Sequence, residues 1–86
     1  MRIIYSRAFI KSAKKLPLPI KKKLAALLEG IVENPFAPNL HTKPLAGKLA
    51  GLYSLRITRD WRVVFYFKSK ENIVLVDTSH RSDIYK

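Results

Sequence analysis

Apolar positions recur at helical spacing through the first third of the chain and alternate with polar ones through the last third, with a proline-rich stretch between. Ile3-Ile4-Tyr5 is a short run of β-forming residues, and Ser6 behind it is a residue type that caps helix N-termini. Phe9, Ile10, Ala13 and Leu16 then fall at i, i+1, i+4 and i+7, with Lys11, Lys14 and Lys15 opposite. That spacing predicts an amphipathic helix ended by Pro17. Pro19 suits the first turn of a second helix. Ile20, Leu24, Leu27, Leu28 and Ile31 keep the period until Asn34-Pro35, where the residue before a proline disfavours helix. The two helices are expected to form a hairpin.

Residues 35–51 hold three of the five prolines and two of the three glycines and read as a long surface loop, a kind of segment that often carries function in a small domain. Beyond Gly51 the pattern predicts strands at 52–58, 61–67 and 73–78. In the first, Tyr53, Leu55 and Ile57 alternate with Ser54, Arg56 and Thr58, giving one apolar and one polar face. In the second only Arg62 interrupts an apolar run, as expected of a central strand covered on both faces. The order β-α-α-β-β-β predicts an α+β fold. An N-terminal strand and a helical hairpin pack on a small antiparallel sheet, in one domain over residues 1–86, and Ser54, Arg56 and Thr58 face an open surface.

Charge changes the picture: 17 Lys plus Arg stand against 6 Asp plus Glu, a net of +11 on 86 residues. That exceeds the magnitude of roughly 2–8 that keeps a small domain soluble, so an anionic partner is expected: nucleic acid, a membrane surface or an acidic protein. No apolar run approaches the roughly 20 residues that span a bilayer, and the N-terminus lacks a signal peptide's apolar stretch. The cytoplasm is the expected location, with no membrane partner. Without cysteine there is no disulfide, thiol nucleophile or thiolate metal site. Lys14, Lys15 and Lys21-Lys22-Lys23 lie on polar helix faces, where solvated lysines ordinarily sit. Arginines in strands are more informative, because a guanidinium offers a rigid fork to phosphate. Arg56 and Arg62 share a face only across a three-residue or bulged turn, since a two-residue turn at Arg59-Asp60 would pair Arg56 with Val63.

Two histidines, His41 and His80, are too few for a zinc site without carboxylate help, and no metal or small-molecule cofactor is expected. His80, followed by Arg81 and by Tyr85, is the candidate proton-transfer group, since histidine titrates nearest neutral pH. No serine lies in a nucleophile elbow and no Gly-rich loop precedes a helix. What remains is phosphodiester chemistry by cations. RNA permits it because its own 2′-hydroxyl is the nucleophile, leaving the protein to accept that proton, neutralise the phosphorane and protonate the 5′-oxygen.

Four segments together resemble the RelE/ParE superfamily of bacterial type II toxins. They are Lys43-Pro-Leu-x-Gly47, Gly51-Leu-Tyr-Ser-Leu-Arg56, Asp60-Trp-Arg-Val-Val64 and His80-Arg-x-x-Ile-Tyr85, in a match spanning residues 2–86. The resemblance implies a toxin silenced by a cognate acidic antitoxin that, once released, cleaves mRNA on the ribosome, with rRNA and mRNA as further partners. It also implies a catalytic set of His80 as proton donor, Arg62 and Arg56 on the scissile phosphate, Tyr85 stacking on a base or assisting proton transfer, and Asp60. Lys43, Lys48, Arg59, Arg81 and Trp61 form the candidate RNA-binding set. Lys43 stands where YafQ-like members carry histidine, and Ser54 where RelE-like members carry a second lysine. Two alternatives remain open: a ParE-like inhibitor of DNA gyrase without nuclease activity, and a non-toxic basic RNA- or ribosome-binding module.

Overall fold

The computed structural model describes residues 1–84, so Tyr85 lies outside the described residues. The elements are β1 (Arg2–Tyr5), α1 (Arg7–Lys14), α2 (Leu18–Glu33), β2 (Lys43–Pro44), β3 (Tyr53–Arg56), β4 (Trp61–Ser69), β5 (Asn72–His80) and α3 (Arg81–Ile84). The five strands form one sheet in the order β1-β5-β4-β3-β2, which makes β4 the central strand its apolar run predicts. β1 runs parallel to β5, with Ile3 beside Ile73, so the sheet is mixed where an antiparallel one was expected. The helical hairpin is the cause: it separates β1 from the meander, which leaves β1 to dock along the last strand instead of turning back on a neighbour.

Ser6 caps α1 as its residue type predicts, its Oγ accepting from the Phe9 N–H at 3.0 Å. The same hydroxyl donates to the Val76 carbonyl at 3.0 Å, which pins the start of α1 to β5. Nearly two helical turns further on, Ser12 Oγ accepts from the Thr78 N–H at 3.0 Å and lies 3.0 Å from the Thr78 hydroxyl. Phe9, Leu16, Leu24 and Ile31 from the hairpin close against Leu55, Ile57, Val63, Phe65, Ile73 and Leu75 from the sheet. Each such side chain contributes about 1.5–3 kcal/mol by leaving water.

The segment expected as a surface loop does more than connect. It adds β2 to the sheet edge, with Lys43 opposite Ser54, and folds back over the face away from the helices. There Leu45 and Val64 are buried together, with Leu49, Leu52 and Val76 packed around them as a second small core. Positive φ at Gly47 (64°) and Gly51 (94°) lets the chain reverse within this short segment. Consequently Ser54, expected on an open polar face, is only 1% exposed.

Candidate nucleic-acid interface and catalytic residues

Register decides which predicted residues meet. Ile57 donates its N–H to the Trp61 carbonyl at 2.9 Å, so the β3–β4 connection is the three-residue turn Thr58-Arg59-Asp60. That satisfies the condition the sequence set, and Arg56 lies directly opposite Arg62. On the other side of β4, Arg62 is opposite Ser79. A row of Arg56, Arg62 and Ser79 therefore crosses the face away from the helices. The next row is Lys43, Ser54, Val64 and Asp77.

Arg62 is largely covered, 9% exposed, and its Nη1 makes a long 3.4 Å contact with the Thr58 carbonyl, bracing the turn. Arg56 lies beyond the end of two-residue β2, where β3 has no outer neighbour. There it reaches a hollow of about 380 Å³ that Lys23, Asn39, His41, Thr58 and Arg59 also line. The Nε of Arg56 is buried with no hydrogen-bond partner among the described residues. Among the described residues no carboxylate lines this hollow, and His41 is held there in the left-handed backbone region at φ 49°. Like charges set directly opposite on neighbouring strands destabilise a sheet, so this arrangement is one that an anion would relieve.

The structure separates His80 from the arginine row. It pairs with Trp61 on the helix side of the sheet, ring centroids 5.3 Å apart and nearly perpendicular. Trp61 packs against the main core, so its indole serves the fold as well as that ring contact. His80 ends β5 and its side chain caps α3. The Ser82 N–H donates to Nδ1 at 3.3 Å and the Ser82 hydroxyl lies 2.9 Å from the same nitrogen. A backbone N–H can only donate, so Nδ1 accepts and the neutral ring carries its proton on Nε2. Asp60 and Arg81 pair at 3.6 Å with both side chains about half exposed, and the Arg81 N–H donates to the Asp60 carbonyl at 2.7 Å. That link ties the β3–β4 turn to α3. Lys48 sits on the short turn Gly47–Leu49.

Sequence reasoning missed Asp77 and Ser79. Register shifts between Val64 and Phe65, where Leu75 faces Phe65 but Asp77 faces Val64. Val76 is the extra residue of a β-bulge, a device that re-aims side chains near functional sites. Val76 and Asp77 both line the face away from the helices, and Ser79 follows them there. Among the described residues, no three His, Cys, Asp or Glu side chains come together as a metal site. Nor is any helix among them long and apolar enough to cross a membrane.

A helical hairpin inserted between a parallel edge strand and an antiparallel meander is the small toxin fold of the RelE/ParE superfamily. The chain belongs to the family of the ParE toxin of type II toxin-antitoxin systems, whose model matches residues 3–85. YafQ from E. coli strain BL21(DE3) is similar at 21% identity over the whole of both chains, with a TM-score of 0.80. The RelBE2 toxin-antitoxin complex from Mycobacterium tuberculosis is similar at 21% identity over 93% of this chain and 96% of that one, with a TM-score of 0.76. The YoeB/ParE toxin from Agrobacterium tumefaciens reaches 20% identity over 93% of this chain and 98% of its own, with a TM-score of 0.75. At such identities the likeness is one of fold. A comparison with curated proteins finds no match.

Proposed function

We propose that this chain is a cytoplasmic toxin that cleaves mRNA on the ribosome without a metal ion, arrests translation, and is held silent by an acidic antitoxin. The observation that carries the reading is the direct pairing of Arg56 with Arg62 near the end of the sheet where β5 finishes at His80, on the opposite face. In this reading the RNA 2′-oxygen attacks phosphorus and the bond to the 5′-oxygen breaks, leaving a 2′,3′-cyclic phosphate and a 5′-hydroxyl. Arg56 and Arg62 offset the phosphorane's charge. Lys43 or Asp60, in its deprotonated form, accepts the 2′-hydroxyl proton, and His80 as the imidazolium gives its Nε2 proton to the leaving oxygen and is left neutral with its proton on Nδ1. Ser82 Oγ suits both states of the ring, donating to Nδ1 when it is bare and accepting from it when it is protonated. Lys48, Arg59 and Arg81 supply cationic contacts to rRNA or mRNA, and Tyr85 and Trp61 are the candidate base platforms.

Primer-extension mapping of mRNA after induction tests the proposal. Cleavage within codons is expected from the wild type and none from a folded His80→Ala or Arg62→Ala variant. A folded double variant that remains equally toxic refutes it. The matching family model favours a second reading, a gyrase inhibitor, because it is the ParE toxin model that covers residues 3–85. That reading predicts blocked replication and DNA damage with mRNA intact.

A further inference from the structure

The face away from the helices holds a second hollow, of about 250 Å³, which reaches from the Val64–Asp77 row to Ser79, the strand partner of Arg62. Leu49, Leu52, Val64 and Val76 give it apolar walls, and Asp77, Ser79 and Asp83 complete its lining. The carboxylate is fixed: Oδ1 accepts from the Thr78 N–H at 2.9 Å and Oδ2 from the Ser79 hydroxyl at 3.1 Å. A carboxylate has about four lone-pair sites, so each oxygen keeps one for a ligand. The hollow therefore offers apolar contact to a flat group and two parallel acceptors to that group's edge.

We infer that this hollow takes the guanine base of a single-stranded RNA, an assignment that rests on the RNA-cleaving reading above. Rows on one sheet face are about 7 Å apart along the strand, a span that one sugar bridges between its phosphate and its base. A phosphate at the Arg56–Arg62 row thus sets a base over the Val64–Asp77 row. Single-stranded RNA is read through stacking or apolar contact with unstacked bases and hydrogen bonds to their Watson–Crick edges. Guanine alone presents two adjacent donors there, N1–H and the 2-amino group, which match both carboxylate oxygens. Adenine, cytosine and uracil each present one donor beside an acceptor, and an acceptor aimed at Asp77 is repelled.

The test titrates the labelled full chain with non-cleavable 2′-O-methyl trinucleotides UGU, UAU, UCU and UUU, read by NMR shifts. UGU is expected to bind about tenfold tighter than the others, with shifts at the Leu52, Val64 and Val76 methyls. Asp77→Asn should reverse the preference toward UAU, because an amide donates to adenine N1 and accepts from its 6-amino group. Affinities within about twofold across the four probes overturn the inference. So does an Asp77→Asn variant that weakens all four equally, or the absence of binding. Because the probes need no cleavage, a guanine preference without mRNA cutting would fail only the nuclease reading. Cutting without base preference would fail only this one.

Discussion

Replacing Arg56 by methionine should stabilise the fold while removing its response to anions. The position is directly opposite Arg62, and its side chain shares a hollow with Lys23 and Arg59 and, among the described residues, no carboxylate. Two bare unit charges about 7 Å apart repel by about 0.6 kcal/mol at water-like screening and about 2.4 kcal/mol at an effective dielectric constant near 20, which bounds what removing one of them returns. Burial of the Arg56 Nε without a partner adds a further cost that methionine, with a stem of similar shape, does not carry. A net gain of about 1 kcal/mol corresponds to roughly 4–8 °C in Tm for a domain of this size. Thermal denaturation followed by circular dichroism at low salt is the assay. At about 1 M salt the Debye length is about 3 Å and the gain should shrink. Inorganic phosphate binds only the folded cation cluster, so it should raise the Tm of the wild type by mass action and leave Arg56→Met nearly unmoved. An Arg56→Met protein that melts at or below the wild type at both salt concentrations would refute the reasoning, because the arginine would then be supporting the fold.

Other expectations follow from packing and capping. Phe65→Ala empties a position that is 0% exposed and stacked on Tyr53, and should cost about 3–5 kcal/mol in urea denaturation. Ser82→Ala leaves its N–H on His80 but removes the hydroxyl, so cleavage should fall about tenfold while the melting curve stays put; a loss equal to that of His80→Ala would contradict a supporting role. Asp60→Ala breaks a half-exposed pair with Arg81 and should shift stability by less than about 1 kcal/mol, so that any larger loss of cleavage reports on catalysis and not on folding.

Periodicity made the hairpin, the central strand and the apolar side of β3 legible, because each follows from local alternation against one core. The parallel pairing of β1 was not, since it depends on where the chain returns after the hairpin and leaves no local mark. The second core was hidden for a related reason: Leu45, Leu49 and Leu52 sit among prolines and glycines at no regular period, and only the closed structure shows them packed with Val64 and Val76. The catalytic candidates were readable as residue types, yet their faces were not, and His80 lies across the sheet from the arginine row it was expected to join.

The bulge at Val76 is the instructive case, because the sequence carries a signal for it. Strict alternation from the buried Ile73 and Leu75 would send Asp77 and Ser79 into the main core, where a carboxylate is costly to place. One extra residue after Leu75 resolves that conflict. Thr78 then turns inward to bond Ser12, while Asp77 and Ser79 turn outward beside Arg62. A polar residue landing on the apolar phase of an otherwise regular strand thus marks a register change as readily as it marks the strand's end. Here the change sets an acceptor next to a cationic row. The same single residue that keeps the core apolar is what gives the opposite face its chemistry.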